Sequence, residues 1–132
     1  MDNNSNIVEN ENNDSILNTI KKLLGISSEN TDFDTDIIIH INSVFSTLRQ
    51  LGIGDKNGYK ITGSQNLWNE FIDDNKWLEE VKSYMYLKVR LLFDPPQNSF
   101  LVDSFKQSID EYEWRFTVIS DEIKKEGGDI DG

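Results

Sequence analysis

The sequence predicts a mostly α protein: a small helical bundle with a long C-terminal helical hairpin and one extended loop or β-hairpin. Three observations lead there. Val81 to Phe93 would place apolar groups on nearly every side of a helix, leaving only a narrow polar arc at Glu79, Ser83 and Arg90. Because a surface helix normally buries one stripe, this segment is either the central rod of a bundle or a rod partly covered by neighbouring copies. Asp94 then precedes Pro95 and Pro96, an order that forces a sharp helix stop. Beyond it, Leu101, Val102, Phe105, Ile109, Tyr112, Phe116, Ile119 and Ile123 recur within an arc of about 100° on a second long helix.

Taken in order, residues 1–14 are rich in Asn and acid, with Ile7 and Val8 as their only large apolar groups. They cannot offset the entropy of ordering alone and read as a flexible acidic N-terminal arm. The first helix runs from about Ser15 to Leu24, with Ile16, Leu17, Ile20, Leu23 and Leu24 on one face and Lys21 and Lys22 pointing away. Ser15 or Asp14 caps it and Gly25 ends it. A second helix spans about Thr35 to Leu51 around Ile37, Ile38, Ile41, Val44, Phe45 and Leu48, and Gly52 closes it. Asn57-Gly58, inside a glycine-punctuated stretch to Gly63, suggests two short strands or an extended loop. Ser64 starts a short helix bearing Leu67, Trp68, Phe71 and Ile72, and Asp73 to Lys76 separates it from the rod at about Trp77 to Phe93. Asn98 or Ser99 caps the last helix, which is expected to run about 25 residues, near 37 Å, until Gly127-Gly128. Three regions result: the arm at 1–14, a helical domain at 15–119 and an acidic C-terminal extension at 120–132.

Charge narrows the function. The chain of 132 residues carries a formal net charge of -11. Residues 1–14 hold -4, residues 120–132 hold -3 and the body between them only -4. Such a surface has no footprint for gripping nucleic-acid phosphates, so DNA nearby should pass it. Without cysteine, neither a disulfide framework nor a thiolate metal site is available. No apolar run reaches the roughly 20 residues of a membrane span, and Met1 to Glu11 lacks a basic start followed by an apolar run. The expectation is a soluble protein with no membrane partner.

No motif carries catalytic chemistry. Asp32, Asp34 and Asp36 alternate as a calcium loop begins, but Ile37 and Ser43 stand where such a loop needs Gly and Glu. They read instead as acids at a helix start, with Asp34 or Thr35 as its cap. His40 is the only histidine, flanks an apolar stripe and has no identifiable nucleophile. Gly52, Gly54 and Gly58 lack the Lys and Ser/Thr of a phosphate cradle. Asp110, Glu111 and Glu113 read as a solvated helix face. The expectation is a protein that is not an enzyme, with no cofactor and no metal. Trp114 lies opposite the core stripe of the last helix, near Phe100 and Val118, while Tyr86, Arg90 and Phe93 stand on the preceding one. These residue types anchor interfaces, although a core on both faces would also account for them.

The string Tyr86-Leu87-Lys88-Val89-Arg90-Leu91-Leu92-Phe93-Asp94-Pro95-Pro96, with Phe105-Lys106-Gln107-Ser108-Ile109 and Glu113-Trp114-Arg115, resembles the head-tail connector (adaptor, or head completion) proteins of tailed bacteriophages. Ile16 to Leu24 and Ile41-Asn42-Ser43-Val44-Phe45 extend the resemblance over about residues 15–119. It implies a structural virion protein of the neck, made in the host bacterial cytoplasm. Such a protein forms a homo-oligomeric ring of about twelve subunits between the portal and a tail or stopper protein, and genome DNA passes through the lumen without sequence-specific binding. It also implies that the loop from Gly52 to Gly63, with Ile53, Tyr59 and Ile61, and the segment from Ile119 onward, with Ile123, reach neighbouring subunits or the portal. The acidic arm departs from the short start of that family. From charge alone, the alternatives are an acidic DNA mimic or a small helical protein-binding module; concentration of the charge at the two ends speaks against a shaped phosphate mimic.

Overall fold

A computed structural model describes residues 14–72 and 77–131, with side chains through residue 125. The acidic arm, apart from Asp14, and the polar separator at 73–76 lie outside the described residues. Five helices are present among the described residues: α1 (Ile16–Leu23), α2 (Asp34–Gln50), α3 (Trp68–Phe71), α4 (Leu78–Phe93) and α5 (Ser99–Asp131). The fold is mostly α, as the sequence predicts. Helix α4 is its central rod, packed against α1, α2 and α5. Its Leu78, Val81, Tyr84, Met85 and Val89 are buried, together with Ile16 and Ile20 of α1 and Ile37, Ile41, Val44 and Leu48 of α2.

Local chemistry sets the helix ends. The Ser15 hydroxyl accepts from the Asn18 amide at 3.2 Å and caps α1. At its other end, Ile26 N–H donates to Lys21 C=O (2.8 Å) and Gly25 N–H to Lys22 C=O (3.0 Å), the paired bonds of a Schellman stop. Helix α2 ends the same way, with Ile53 on Leu48 (2.9 Å) and Gly52 on Arg49 (3.0 Å). The Asn98 side chain caps α5 by accepting from Phe100 (2.8 Å) and Leu101 (3.3 Å).

Two expectations fail at α1 and α2 for one reason. Lys21 does not point away: it is 1% exposed, whereas Leu23 is 47% exposed. Nor does Asp34 or Thr35 cap α2, since Phe33 holds the cap position without a side-chain hydrogen bond. The connection between the helices folds back beneath α1, and the Lys21 ammonium donates to the carbonyls of Ser28 (3.2 Å) and Asn30 (2.7 Å). It also sits 2.8 Å from the Asp34 carboxylate, in a charge contact whose angles fall short of an aligned hydrogen bond. A lysine has three donors and here they converge on one turn of chain. Burial is tolerable because the charge is paired and bonded.

The segment after α2 takes the loop branch of the expectation. Asn57-Gly58 makes a turn, with Gly58 N–H on Asp55 C=O (2.9 Å) and Asn57 N–H on the Asp55 carboxylate (2.9 Å), but no strands flank it. Among the described residues the one isolated β-bridge joins Ser15 to Leu67. The loop is held to α2 by Asn42, whose amide donates to Ile61 C=O (3.0 Å) and accepts from Ile61 N–H (2.8 Å). Tyr59 packs edge-on against Phe45, ring centres 5.2 Å apart. Ser64 lies in a turn and does not cap α3; Leu67 precedes that helix, and Glu70 reaches back to its N–H (3.0 Å). Trp68 is fully buried, its indole N–H donating to the Thr19 hydroxyl at 3.1 Å.

Helix α5 has 33 residues and runs on through Gly127-Gly128. Glycine lowers helix propensity by about 1 kcal/mol without forbidding a helix, so these two do not stop it. At 1.5 Å per residue α5 is about 50 Å long against about 24 Å for α4, which has 16 residues. The stripe predicted as core is therefore core only in its middle. Ile109, Phe116 and Ile119 are buried, but Leu101 and Ile123 are 44% and 53% exposed.

Two substitutions test this architecture. Gly52 has φ +90°, and a Cβ there would run into the Ser120 side chain. Gly52→Ala should cost about 2 kcal/mol or more by urea unfolding, from left-handed strain plus the clash; adding Ser120→Gly should restore only the clash component. Lys21→Ala strands Asp34 and two carbonyls, and is expected to destabilise by about 3 kcal/mol or more in thermal melts.

Candidate assembly interface

The seam between α4 and α5 is aromatic with one polar node. Tyr84 is buried edge-on to Phe116 (5.2 Å), which stacks on Tyr112 (6.2 Å), and Tyr86 faces Phe105 (6.3 Å). The Tyr84 hydroxyl donates to Glu113 at 2.7 Å, and Lys88 lies 3.7 Å from the same carboxylate. Burial first, then the Glu113 carboxylate, pushes the Tyr84 hydroxyl well above the ordinary tyrosine value. Glu113 is thus part of the seam rather than of a solvated face; Asp110 and Glu111 are exposed as expected.

The ten predicted interface residues separate by location. Ile53 and Ile61 are 3% and 1% exposed, inside the chain's own core. Tyr59 is half-buried against Phe45 and Phe71. Tyr86 and Arg90 are also half-buried, with Arg90 donating to the Tyr86 hydroxyl (3.1 Å) and to the Asp94 carbonyl, which fastens the end of α4. Phe93 packs edge-on against Phe33 (5.6 Å) and His40 (6.5 Å). Phe100, Trp114, Val118 and Ile123 stand on α5 in the open, at 84%, 69%, 36% and 53% exposure. Phe100, Trp114 and Val118 share the side of α5 away from α4, so the two-sided core is not formed among the described residues.

Sequence reasoning missed a second bare face. Leu23, Phe33, Ile39 and Leu92 are each more than two-fifths exposed, and a groove of about 560 Å³ lies among Leu24, Ile26, Phe33, His40, Leu92 and Phe93. The signal was present in the all-round apolar character of α4, whose Leu92 must face something. What could not be read is that the folded-back connection brings Phe33 beside Phe93.

Among the described residues no group of three His, Asp or Glu side chains could hold a metal ion, and no helix is long and apolar enough to cross a membrane. His40 is half-buried beside Phe93, consistent with a packing role. The class the fold defines is a small helical bundle that leaves two apolar faces exposed among the described residues. More particularly, the chain belongs to the phage connector protein family, whose model matches residues 16–123. Neither the curated proteins nor the solved structures compared give a match. The family is structural rather than enzymatic, and membership makes this chain a component of the phage particle's head–tail complex.

The buried Tyr84 and half-buried Tyr59 predict alkaline behaviour. Tyr59 donates to Glu70 (3.1 Å), and burial followed by that carboxylate pushes it from 10.0 up to about 12. Glu70 is held below its ordinary value by the Leu67 amide first and the Tyr59 hydroxyl second. With folded-state values raised, the neutral phenols favour the fold fully below pH 10.0, and Tyr59's contribution is lost as pH climbs toward about 12. Urea-unfolding free energies should therefore fall across that window, and Tyr59→Phe should flatten the fall relative to wild type.

Proposed function

We propose that this chain builds a ring in the neck of a tailed phage, a homo-oligomer of about twelve subunits set between the portal and a tail or stopper protein, with genome DNA passing through the lumen. The observation that carries this reading is the mismatch of α4 and α5. A 33-residue helix lies on a 16-residue one, leaving Leu101 and Ile123 bare in the core register and Phe100, Trp114 and Val118 bare on the far side. The groove around Phe33 and Leu92 is a second, different apolar face. Two unlike faces suit a head-to-tail contact, in which each copy presents one to its neighbour's other, and such contacts close into rings. Trp114 is the anchor in this reading, Phe100, Val118 and Ile123 its flanks. The net charge of -11 supports free passage of DNA, because a negative wall does not hold phosphate. The reading retains the division into an arm at 1–14, a connector body at 15–119 and an acidic extension at 120–132.

The test is to mix the purified chain with portal of the same phage and image the product: rings on the portal are expected, and a persistent unbound monomer overturns the proposal. Trp114→Ala should leave the melting temperature nearly unchanged, since an exposed site shifts stability by no more than about 0.5 kcal/mol. It should weaken assembly by about 2 kcal/mol per contact, near thirtyfold in Kd, measured by light scattering. Leu92→Asp, in the groove beside Phe33, is expected to do the same.

A further inference from the structure

Two grooves share Leu92, and they differ in charge. The one beside Phe33 has the carboxylates of Asp36 and Asp94 among its lining groups, together with His40. The other, of about 340 Å³, lies over the α4–α5 seam: Leu91 and Ile109 belong to its apolar lining, while Lys88 of α4 and Lys106 and Asp110 of α5 supply its charges. Lys88 is drawn toward Glu113, 3.7 Å away, and Lys106 is exposed among the described residues. This second groove is an apolar trough edged by two cations against one carboxylate.

The bare side of α5 has the opposite character. Phe100, Trp114 and Val118 are exposed on one arc of about 80°. The same arc carries three carboxylates, Asp103, Glu111 and Asp121, and one ammonium, Lys125. Glu111 borders the same shallow depression as Trp114. Arg115, which borders it too, lies over the Tyr112 ring, 5.6 Å from its centre. An exposed indole flanked by carboxylates suits an apolar seat edged by cations, since the ring face attracts an ammonium and like charges across a contact are costly. On a second copy the groove with Lys88 and Lys106 meets that need. The groove beside Phe33, with Asp36 and Asp94, would set carboxylate against carboxylate.

We infer that Trp114 of one copy seats in the Lys88–Lys106 groove of the next, its indole over Leu91 and Ile109 and its Glu111 against the neighbour's Lys106. The seat rests on the head-to-tail contact proposed for the ring, and it says which of the two grooves receives the tryptophan. The consequence is directional growth. Two α5 faces brought together would oppose their own carboxylates, so copies add head to tail rather than back to back.

Lys106→Glu and Glu111→Lys, made separately in the full-length chain, should each weaken assembly on the portal about tenfold or more in Kd, with melting temperatures near wild type. Equimolar mixing of the two variants should restore assembly, because a glutamate-bearing groove then takes a lysine-bearing face while every other contact keeps the native pair. The loss in each single variant should shrink in about 1 M salt, where the screening length falls to about 3 Å. Wild-type assembly by either variant alone overturns the seat and leaves the ring standing, as does a loss that neither mixing nor salt relieves. Where a variant melts early, Lys106→Gln or Glu111→Gln replaces it with a smaller loss expected, and an unchanged Kd overturns the seat. A wild-type chain that stays monomeric beside the portal overturns the seat and the ring together.

Discussion

Helix α4 buries a wide apolar stripe against three other helices, and the rest of the molecule is arranged around that burial. Leu78, Val81, Tyr84, Met85 and Val89 form one wide stripe of a short helix, within an arc of about 140°, and are all buried. That takes α1 and α2 on one flank and α5 on the other. Apolar burial at about 25 cal/mol per Å² rewards each contact, yet the cover is unequal in length. The helix that closes the last side is twice as long as the one it covers, and its overhang and outer side carry apolar groups left exposed among the described residues. The buried core of the fold and its exposed apolar groups thus stem from the same helix pair.

Polar contacts decide how the cover is held. Lys21 fastens the connection from α1 to α2 through two carbonyls and Asp34, and this brings Phe33 to Phe93 and shapes the apolar groove. Asn42 does the equivalent work on the other side, binding both polar groups of Ile61 as a strand neighbour would. Glu113 receives Tyr84 across the α4–α5 seam and fixes the register of the long helix. Each is a side chain that satisfies backbone or phenol groups which burial would otherwise penalise by about 1–3 kcal/mol.

Much of the site was legible because exposure on a helix follows from periodicity. Trp114, Phe100 and Val118 were placed opposite the stripe of Ile109 and Phe116, and they are exposed as that geometry requires. The loop residues were less legible. Ile53 and Ile61 carry no periodic signal, and only their packing against α2 and α3 distinguishes an inner isoleucine from one offered to a neighbour. Lys21 was misplaced because a lysine on a short amphipathic helix ordinarily faces water, and nothing local announces that thirteen residues later an aspartate returns to meet it.

By itself the sequence determined the helical class, the central rod, the proline stop and the acidity, because these follow from residue spacing, proline geometry and charge. Tertiary structure alone decided which lysine is buried, which isoleucines are already used, and that a second apolar face exists. Those outcomes depend on contacts between residues distant in the chain, which no local pattern encodes.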